Sequence, residues 1–353
     1  MNHSQPGTGR PPVVAITGAS SGIGRSTAEL FARRGWRVGL IARGAVGLDC
    51  TRRAIAEAGG SAHVALADVS RSEMLELAAD EIEHALGPID VWINCAGNGV
   101  YGTFLTVPEA EFLRVTAVTY LGVVNGTRVA LKRMIPRNQG TVVNVCSAVV
   151  YHALPLLSSY SGAKYAVRGF TEAVRSELRH DRSRVHLTIV YPPAVNTPFF
   201  SHAQSHLQLP PRPARPVYQP EIVADGIYLA ATTRRRQLEI GGITVAFAWL
   251  TRLAPWSGEI LIGLLGYEGQ VIDNRAVRDR RDPTLFEPSR HPSSAHGPFD
   301  DEAFTHSLQL WFSRHLGIVR TRLGVLILAI LVGLISGFES LRAVLANVVE
   351  YFG

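Results

Sequence analysis

The feature that most constrains this chain lies near its start. Val13–Thr17 is a short apolar run that reads as a strand. Gly18-Ala19-Ser20-Ser21-Gly22-Ile23-Gly24 follows at once and leads into a helical pattern through Arg34. A strand, a turn with three glycines and a helix in immediate succession can hold a dinucleotide. Glycine lets the backbone turn tightly and approach a pyrophosphate, and the helix N-terminus stabilises the negative charge. The Gly-x-x-x-Gly-x-Gly spacing departs from G-x-G-x-x-G, so the strand–turn–helix setting is what gives the motif its weight.

The same alternation continues. Arg37–Ile41 reads as the second strand and ends in Ala42-Arg43. An acidic residue here would take a ribose 2′-hydroxyl, whereas an arginine suits a 2′-phosphate. Arg43 therefore favours NADP over NAD, and Ser20 can add a hydrogen bond to the same phosphate. Ala45–Ala58 is a helix closed by Gly59-Gly60, and His63–Leu66 is the third strand, followed by Asp68-Val69. Asp68 either bonds the adenine amine or, with Ser70, caps the Arg71–Leu86 helix. Val91–Asn94 is the fourth strand, and the small residues of Cys95-Ala96-Gly97 leave room for a cofactor. Pro108–Met134 is helical, Thr141–Val145 is the fifth strand, Leu157–Arg179 a helix and Val185–Tyr191 the sixth strand. Gln219–Thr233 is a further helix and Gln237–Ile240 a final strand. Apolar strands without polar alternation, spaced by helices, predict a parallel sheet covered on both faces.

A second stretch brings chemistry. Residues 147–164 read SAVVYHALPLLSSYSGAK. Tyr160 and Lys164 are four apart and share a helix face. An ammonium beside a phenol favours the phenolate, lowering the tyrosine pKa from about 10 so that it can act as acid or base near neutral pH. Ser147 closes the fifth strand, where open α/β sheets bind ligands. The chain holds two lysines, Lys132 and Lys164, among 35 Lys and Arg. An arginine-biased chain that retains Lys164 argues for a compact ammonium there, which a planar guanidinium does not replace freely. A solvated surface pair is the plain alternative, and the glycine turn tips the balance towards a site.

Composition sets outer limits. Apolar residues make up 46% and charged residues 18% of the 353, a globular composition leaning apolar. A net charge of +6 suits an anionic membrane face or no macromolecular partner. No nucleic-acid motif or aromatic-interleaved basic stripe is present, so nucleic acid is not expected. Cys50, Cys95 and Cys146 are too few and too scattered for a disulfide framework or metal site, and fit a reducing compartment. His202 and His206 lack a third zinc ligand, so no metal is expected. Residues 1–11 carry no apolar signal segment and read as a disordered lead-in.

Together these motifs resemble the short-chain dehydrogenase/reductase family over residues 12–242. The carriers are Thr17-Gly-Ala-Ser-Ser-Gly-Ile-Gly24, Asn94-Cys-Ala-Gly97, Ser147, Tyr160-Ser-Gly-Ala-Lys164 and Pro192-Pro-Ala-Val-Asn-Thr-Pro198. One would be weak, but all of them in the right order are specific. The resemblance implies an α/β fold: a Rossmann-type doubly wound parallel sheet of about seven strands with helices on both faces. It also implies hydride transfer between NADP(H) and a carbonyl or alcohol. By resemblance, Tyr160 is the general acid in reduction and the base in oxidation. Lys164 lowers its pKa and holds the nicotinamide ribose, and Ser147 hydrogen-bonds the substrate oxygen. Gly18, Ser20, Ser21, Gly22, Ile23, Gly24, Arg43, Asp68, Val69, Asn94, Ala96, Gly97, Val195 and Thr197 line the cofactor, with Tyr160 and Lys164.

Two positions depart from the family pattern. Thr119, in Val118-Thr119-Tyr120-Leu121-Gly122, stands where the family has an Asn that supports a water in a proton relay through the lysine. Pro193 stands where the family has Gly, and it lacks an N–H and fixes φ. Thr119 is kept with the catalytic set, and it motivates a second reading: a nucleotide-binding regulatory or scaffold protein. Family members often form dimers or tetramers, so a homo-oligomer is an expectation.

Phe199–Pro220 is rich in Pro and His and reads as a mobile lid over the substrate. Beyond Gly242 the family pattern fades. Residues 243–272 are apolar, broken by Arg252, Pro255 and Glu259, and read as a cap or membrane-surface segment. Residues 273–305 are charged and rich in Pro, Ser and His, and read as a linker. Residues 306–353 read as apolar C-terminal helices. Leu323–Phe338 carries no charge, but at about 24 Å of helix it falls short of the roughly 30 Å hydrocarbon core. It is read as an anchor that thins the bilayer, or as half of a helical hairpin against another subunit. Leu341, Val344, Leu345, Val348, Val349 and Phe352 give an amphipathic end. Arg320 and Arg322 would keep the enzyme on the cytoplasmic face. The expectation is a membrane-associated enzyme acting on an apolar carbonyl or alcohol.

Overall fold

The computed structural model describes residues 10–315, except 255, 257, 259, 261, 264, 265, 275, 276, 279 and 280. Seven parallel strands form the main sheet: β1 Val13–Thr17, β2 Arg37–Ala42, β3 Ser61–Leu66, β4 Val91–Asn94, β5 Thr141–Val145, β6 His186–Tyr191 and β7 Gln237–Glu239. Their order is β7-β6-β5-β4-β1-β2-β3. The chain winds outward from β1 to β3, crosses back, and winds outward again to β7. This is the doubly wound Rossmann-type sheet read from the sequence. Central β1 pairs with β2 and β4 at once, Val14 standing opposite both Val38 and Val91. Strands buried on both faces need no polar alternation.

Helices α1 Gly22–Arg33, α2 Ala45–Glu57, α3 Ser72–Leu86, α4 Glu109–Thr116, α5 Gly122–Met134, α6 Ser158–His180 and α7 Pro220–Thr232 connect these strands. Helix α1 packs on α2 and α7, while α3 packs on α5 and α5 on α6, so each face of the sheet is covered. Phe31, Ile82 and Trp92 are wholly buried, each contributing roughly 2 kcal/mol of apolar burial. Helix α5 lies tight on β4 because residue 126 is glycine: a Cβ there would sit 2.0 Å from Asn94 Oδ1. Between α4 and α5 the helical ladder widens into a π turn, Ala117–Leu121, which contains Thr119.

Beyond β7, helix α8 Gly242–Leu253 follows, and Ala248 on it packs with Val149 and Tyr151. The region read as a linker, 273–305, takes a different course. Asp282 N bonds Ser201 O at 3.1 Å and Thr284 N bonds His202 O at 2.9 Å. Phe299 N donates to Asn196 Oδ1 at 3.0 Å, and Ala303–Phe304 pairs with Val217–Tyr218, which also pairs with Ala194–Val195. The linker reading is corrected: residues 282–304 form a strap built into the fold. Its composition is polar, but Leu285, Ala295 and Phe299 are buried and its backbone supplies the bonds. The segment read as a mobile lid is structured too, with Gln204–Ser205 pairing with Val100–Tyr101.

Residues to 306 form one compact unit and those from 307 a second, in which 308–315 are helical. Among the described residues no helix is long and apolar enough to cross a membrane. Leu323–Phe338, the amphipathic end and residues 1–9 of the lead-in lie outside the described residues.

Candidate active site

The site forms where β1, β4, β5 and β6 end. Thr17 closes β1, and its Oγ1 accepts bonds from Cys95 N at 3.0 Å and Ala96 N at 3.2 Å, tying the loop after β4 to the glycine turn. In that turn Gly18 has φ +72° and Gly22 φ +54°, conformations that side chains resist. A Cβ on Gly18 would lie 2.8 Å from Ala96 Cα, and one on Gly24 would lie 2.1 Å from Gly18 O. Helix α1 begins at Gly22 with its N-terminus towards the cleft. This is a cradle that any side chain would fill, and it fits a dinucleotide pyrophosphate.

Ser147 follows β5 and caps a short turn, its Oγ accepting from Val149 N at 3.3 Å. Helix α6 presents Tyr160 and Lys164 one turn apart. Lys164 is buried, donates from Nζ to Val145 O at 2.9 Å, and lies 5.6 Å from the centroid of the Tyr160 ring. Burial lowers its pKa below the ordinary lysine value. Burial also pushes the Tyr160 phenol above its usual value; a bond with Ser147 opposes this, and Cys146 and Cys95 add to it. Burial, rather than the Lys164 charge expected from the spacing, is thus the leading influence on the phenol in the protein without cofactor. Taking the phenolate out of water disfavours the charged form and so raises its pKa. The thiols behave alike: burial pushes Cys95 up to about 12 and Cys146 up to about 11.

Ser147, Tyr160 and Lys164 share one cavity of about 720 Å³ with the glycine turn. Gly18, Ser20, Ser21, Gly22, Ile23 and Gly24 line it, as do Arg43, Asp68, Val69, Ala96, Gly97, Val195 and Thr197. Asn94 and Thr119 stand apart from these. The Asn94 amide is spent behind β4, accepting from Trp92 Nε1 at 2.8 Å and donating to Asn144 Oδ1 at 2.8 Å. Thr119 Oγ1 accepts from Asn98 N at 3.1 Å and donates to Asn98 O at 3.0 Å, so it fixes the loop after β4.

Asp68 accepts from Ser70 N at 2.9 Å and from Arg114 at 2.5 Å. Burial pushes its carboxyl up, but the bonds from Arg114 and Ser70 prevail and hold it low. It does not cap α3, whose N-cap position is Arg71. Arg43 donates to Thr284 O and Phe286 O, each at 2.6 Å, and burial followed by Arg114 lowers its pKa.

Sequence reasoning missed several lining residues. Tyr101, His152, Phe247 and the strap residues Ser289, His291 and Ser293 face the same cavity. None sits in a spaced motif. The only available signal was the apolar helical spacing of Ile243 and Phe247.

A family model described as short chain dehydrogenase matches residues 12–208. An uncharacterized oxidoreductase of Bacillus subtilis, YxnA, is 32% identical over 277 residues, covering 78% of this chain and 78% of its own length. The chain belongs to the short-chain dehydrogenase family. Two solved structures share its fold. A metagenomic short-chain oxidoreductase in complex with NADP is 26% identical with a TM-score of 0.56, over 65% of this chain and 97% of its own. An actinorhodin polyketide ketoreductase variant with NADPH is 28% identical with a TM-score of 0.58, over 65% and 95%. The strap lies beyond the part that the family model matches.

Proposed function

We propose that this short-chain dehydrogenase is an NADP(H)-dependent oxidoreductase of an apolar carbonyl or alcohol, with Tyr160 as its general acid and base. The observation that carries the reading is the single cavity lined by Ser147, Tyr160 and Lys164 together with the glycine turn. NADP(H) is supported by the bound nucleotides of the two structural relatives. It is also supported by Arg43 in the cleft and by an Asp68 carboxylate already taken by Arg114 and Ser70. The glycine turn and the first N–H groups of α1 after Gly22, whose own N–H goes to Ser294 O, would hold the pyrophosphate, and Val195 and Thr197 the nicotinamide end.

When bound, the nicotinamide supplies or accepts a hydride at the substrate carbon. The chain supplies the rest. The Ser147 hydroxyl orients the substrate oxygen. Tyr160 gives that oxygen its proton in reduction and takes it back in oxidation. The protonated phenol is the form that reduction needs, and the phenolate the form that oxidation needs. Lys164 places a positive charge beneath the ring. The cavity beside Tyr160 is apolar, with Leu154, Leu157, Phe199 and Phe247 on its walls, and this matches an apolar substrate. The test mixes the protein with NADPH and a panel of apolar ketones and aldehydes, following nicotinamide absorbance. Loss of absorbance with at least one is expected; tight NADPH binding without any loss would favour a nucleotide-binding protein without turnover.

A further inference from the structure

The strap is fastened to the elements that would meet cofactor phosphates. Arg43, at the end of β2, donates to Thr284 O and Phe286 O. Gly22 N, at the start of α1, donates to Ser294 O at 3.0 Å. Arg25 Nη1 donates to Ser293 O. Ser293 and Ser294 are therefore each pinned through their carbonyl, and Ser293 lines the same cavity as Ser20 and Arg43. The corner is tight: a Cβ on Gly47 would lie 2.9 Å from Ser20 Cβ and 3.6 Å from Ser293 Cβ. Yet Ser293 Oγ is buried with no hydrogen-bond partner among the described residues, where buried hydroxyls are as a rule satisfied. The acids nearby are Asp68, held by Arg114 and Ser70, and Glu287, which acts on Arg43.

We propose that Ser293 is a cofactor-specificity residue. Its hydroxyl, turned about one side-chain bond, donates to the phosphate monoester on the adenosine ribose of NADP(H), beside Ser20 and Arg43. A rotation between staggered positions is all the donor needs. A phosphate monoester offers three strong acceptor oxygens and negative charge, which matches a hydroxyl next to a guanidinium. NAD(H) carries a neutral hydroxyl there in place of the phosphate, so a contact to the charged oxygens discriminates between the two nucleotides. The proposal rests on the NADP(H) reading above.

The test titrates the full chain with NADPH and with NADH, following nicotinamide fluorescence. Ser293→Ala should weaken NADPH about tenfold to hundredfold, the loss of one hydrogen bond to a charged group. NADH binding should stay within about twofold of wild type. Ser293→Thr keeps the hydroxyl and should retain most of the NADPH affinity. Equal losses for both nucleotides, or no loss for either, overturn the proposal and leave the NADP(H) reading standing. A wild-type protein that binds neither nucleotide overturns both.

Discussion

The floor of the cleft and its outer wall are built on different terms. The floor, from Gly18 to Thr197, gathers the glycine turn, Ser147, Tyr160 and Lys164 from short motifs that stand out in the sequence. The wall, α8 and the strap from Asp282 to Phe304, holds its place mainly through backbone carbonyls and a few buried apolar residues. A carbonyl is the same for every residue, so such anchoring leaves little trace in residue identity. The floor is therefore read from residue identity, while the wall is held through groups that every residue carries.

The largest expected effect separates two glycines. Gly24→Ala places a Cβ 2.1 Å from Gly18 O, forcing the turn open. It should abolish NADPH binding and cost about 1–3 kcal/mol of stability. Gly35→Ala meets nothing within 4 Å, although its φ of +80° strains any side chain. It should cost about 1 kcal/mol and leave binding intact. Isothermal titration with NADPH and thermal unfolding of both variants would check this, and equal effects would break the distinction between cradle and ordinary turn.

Thr119 tests the floor next. Its hydroxyl serves both the N–H and the C=O of Asn98. Thr119→Ala orphans these groups and should lower stability by about 1–3 kcal/mol, read by denaturant unfolding. Thr119→Asn should leave an active wild type no faster. Turnover confined to that variant would mark the native protein as a nucleotide binder.

A smaller effect lies in pH. Burial raises the Tyr160 phenol and lowers the Lys164 ammonium. Reduction needs the phenol protonated, and that form persists past pH 10 or so. Lys164 loses its charge first, at a pH below its ordinary 10.5. The rate of reduction should hold steady from neutral pH and then fall on the alkaline side as Lys164 deprotonates. A fall already under way near pH 7 would favour the depressed phenol that the Tyr–Lys spacing alone suggests.

Much of the fold was legible because strands buried on both faces are read directly as apolar runs, and all seven formed where their residues placed them. The glycine turn was legible because its geometry excludes side chains. Asn94 was misleading: it ends β4 beside the cleft, but Gly126 lets α5 press close, and the amide turns into a network with Trp92 and Asn144. The influence of burial on Tyr160 was not legible either. Sequence spacing shows the neighbouring charge, whereas burial depends on Leu157, Phe199 and other residues distant along the chain. The strap escaped because Leu285 and Phe299 are isolated apolar residues in a polar stretch.

The proposed reduction depends most on Tyr160 delivering the proton. Phenylalanine at that position keeps the ring and its contact with Phe199, at 5.5 Å between centroids. The direct measurement therefore compares wild type and Tyr160→Phe for NADPH affinity and for the rate of ketone reduction. Unchanged affinity with a rate about 10² to 10⁴ lower is the predicted result. A Tyr160→Phe protein that reduces the ketone as fast as wild type would contradict it.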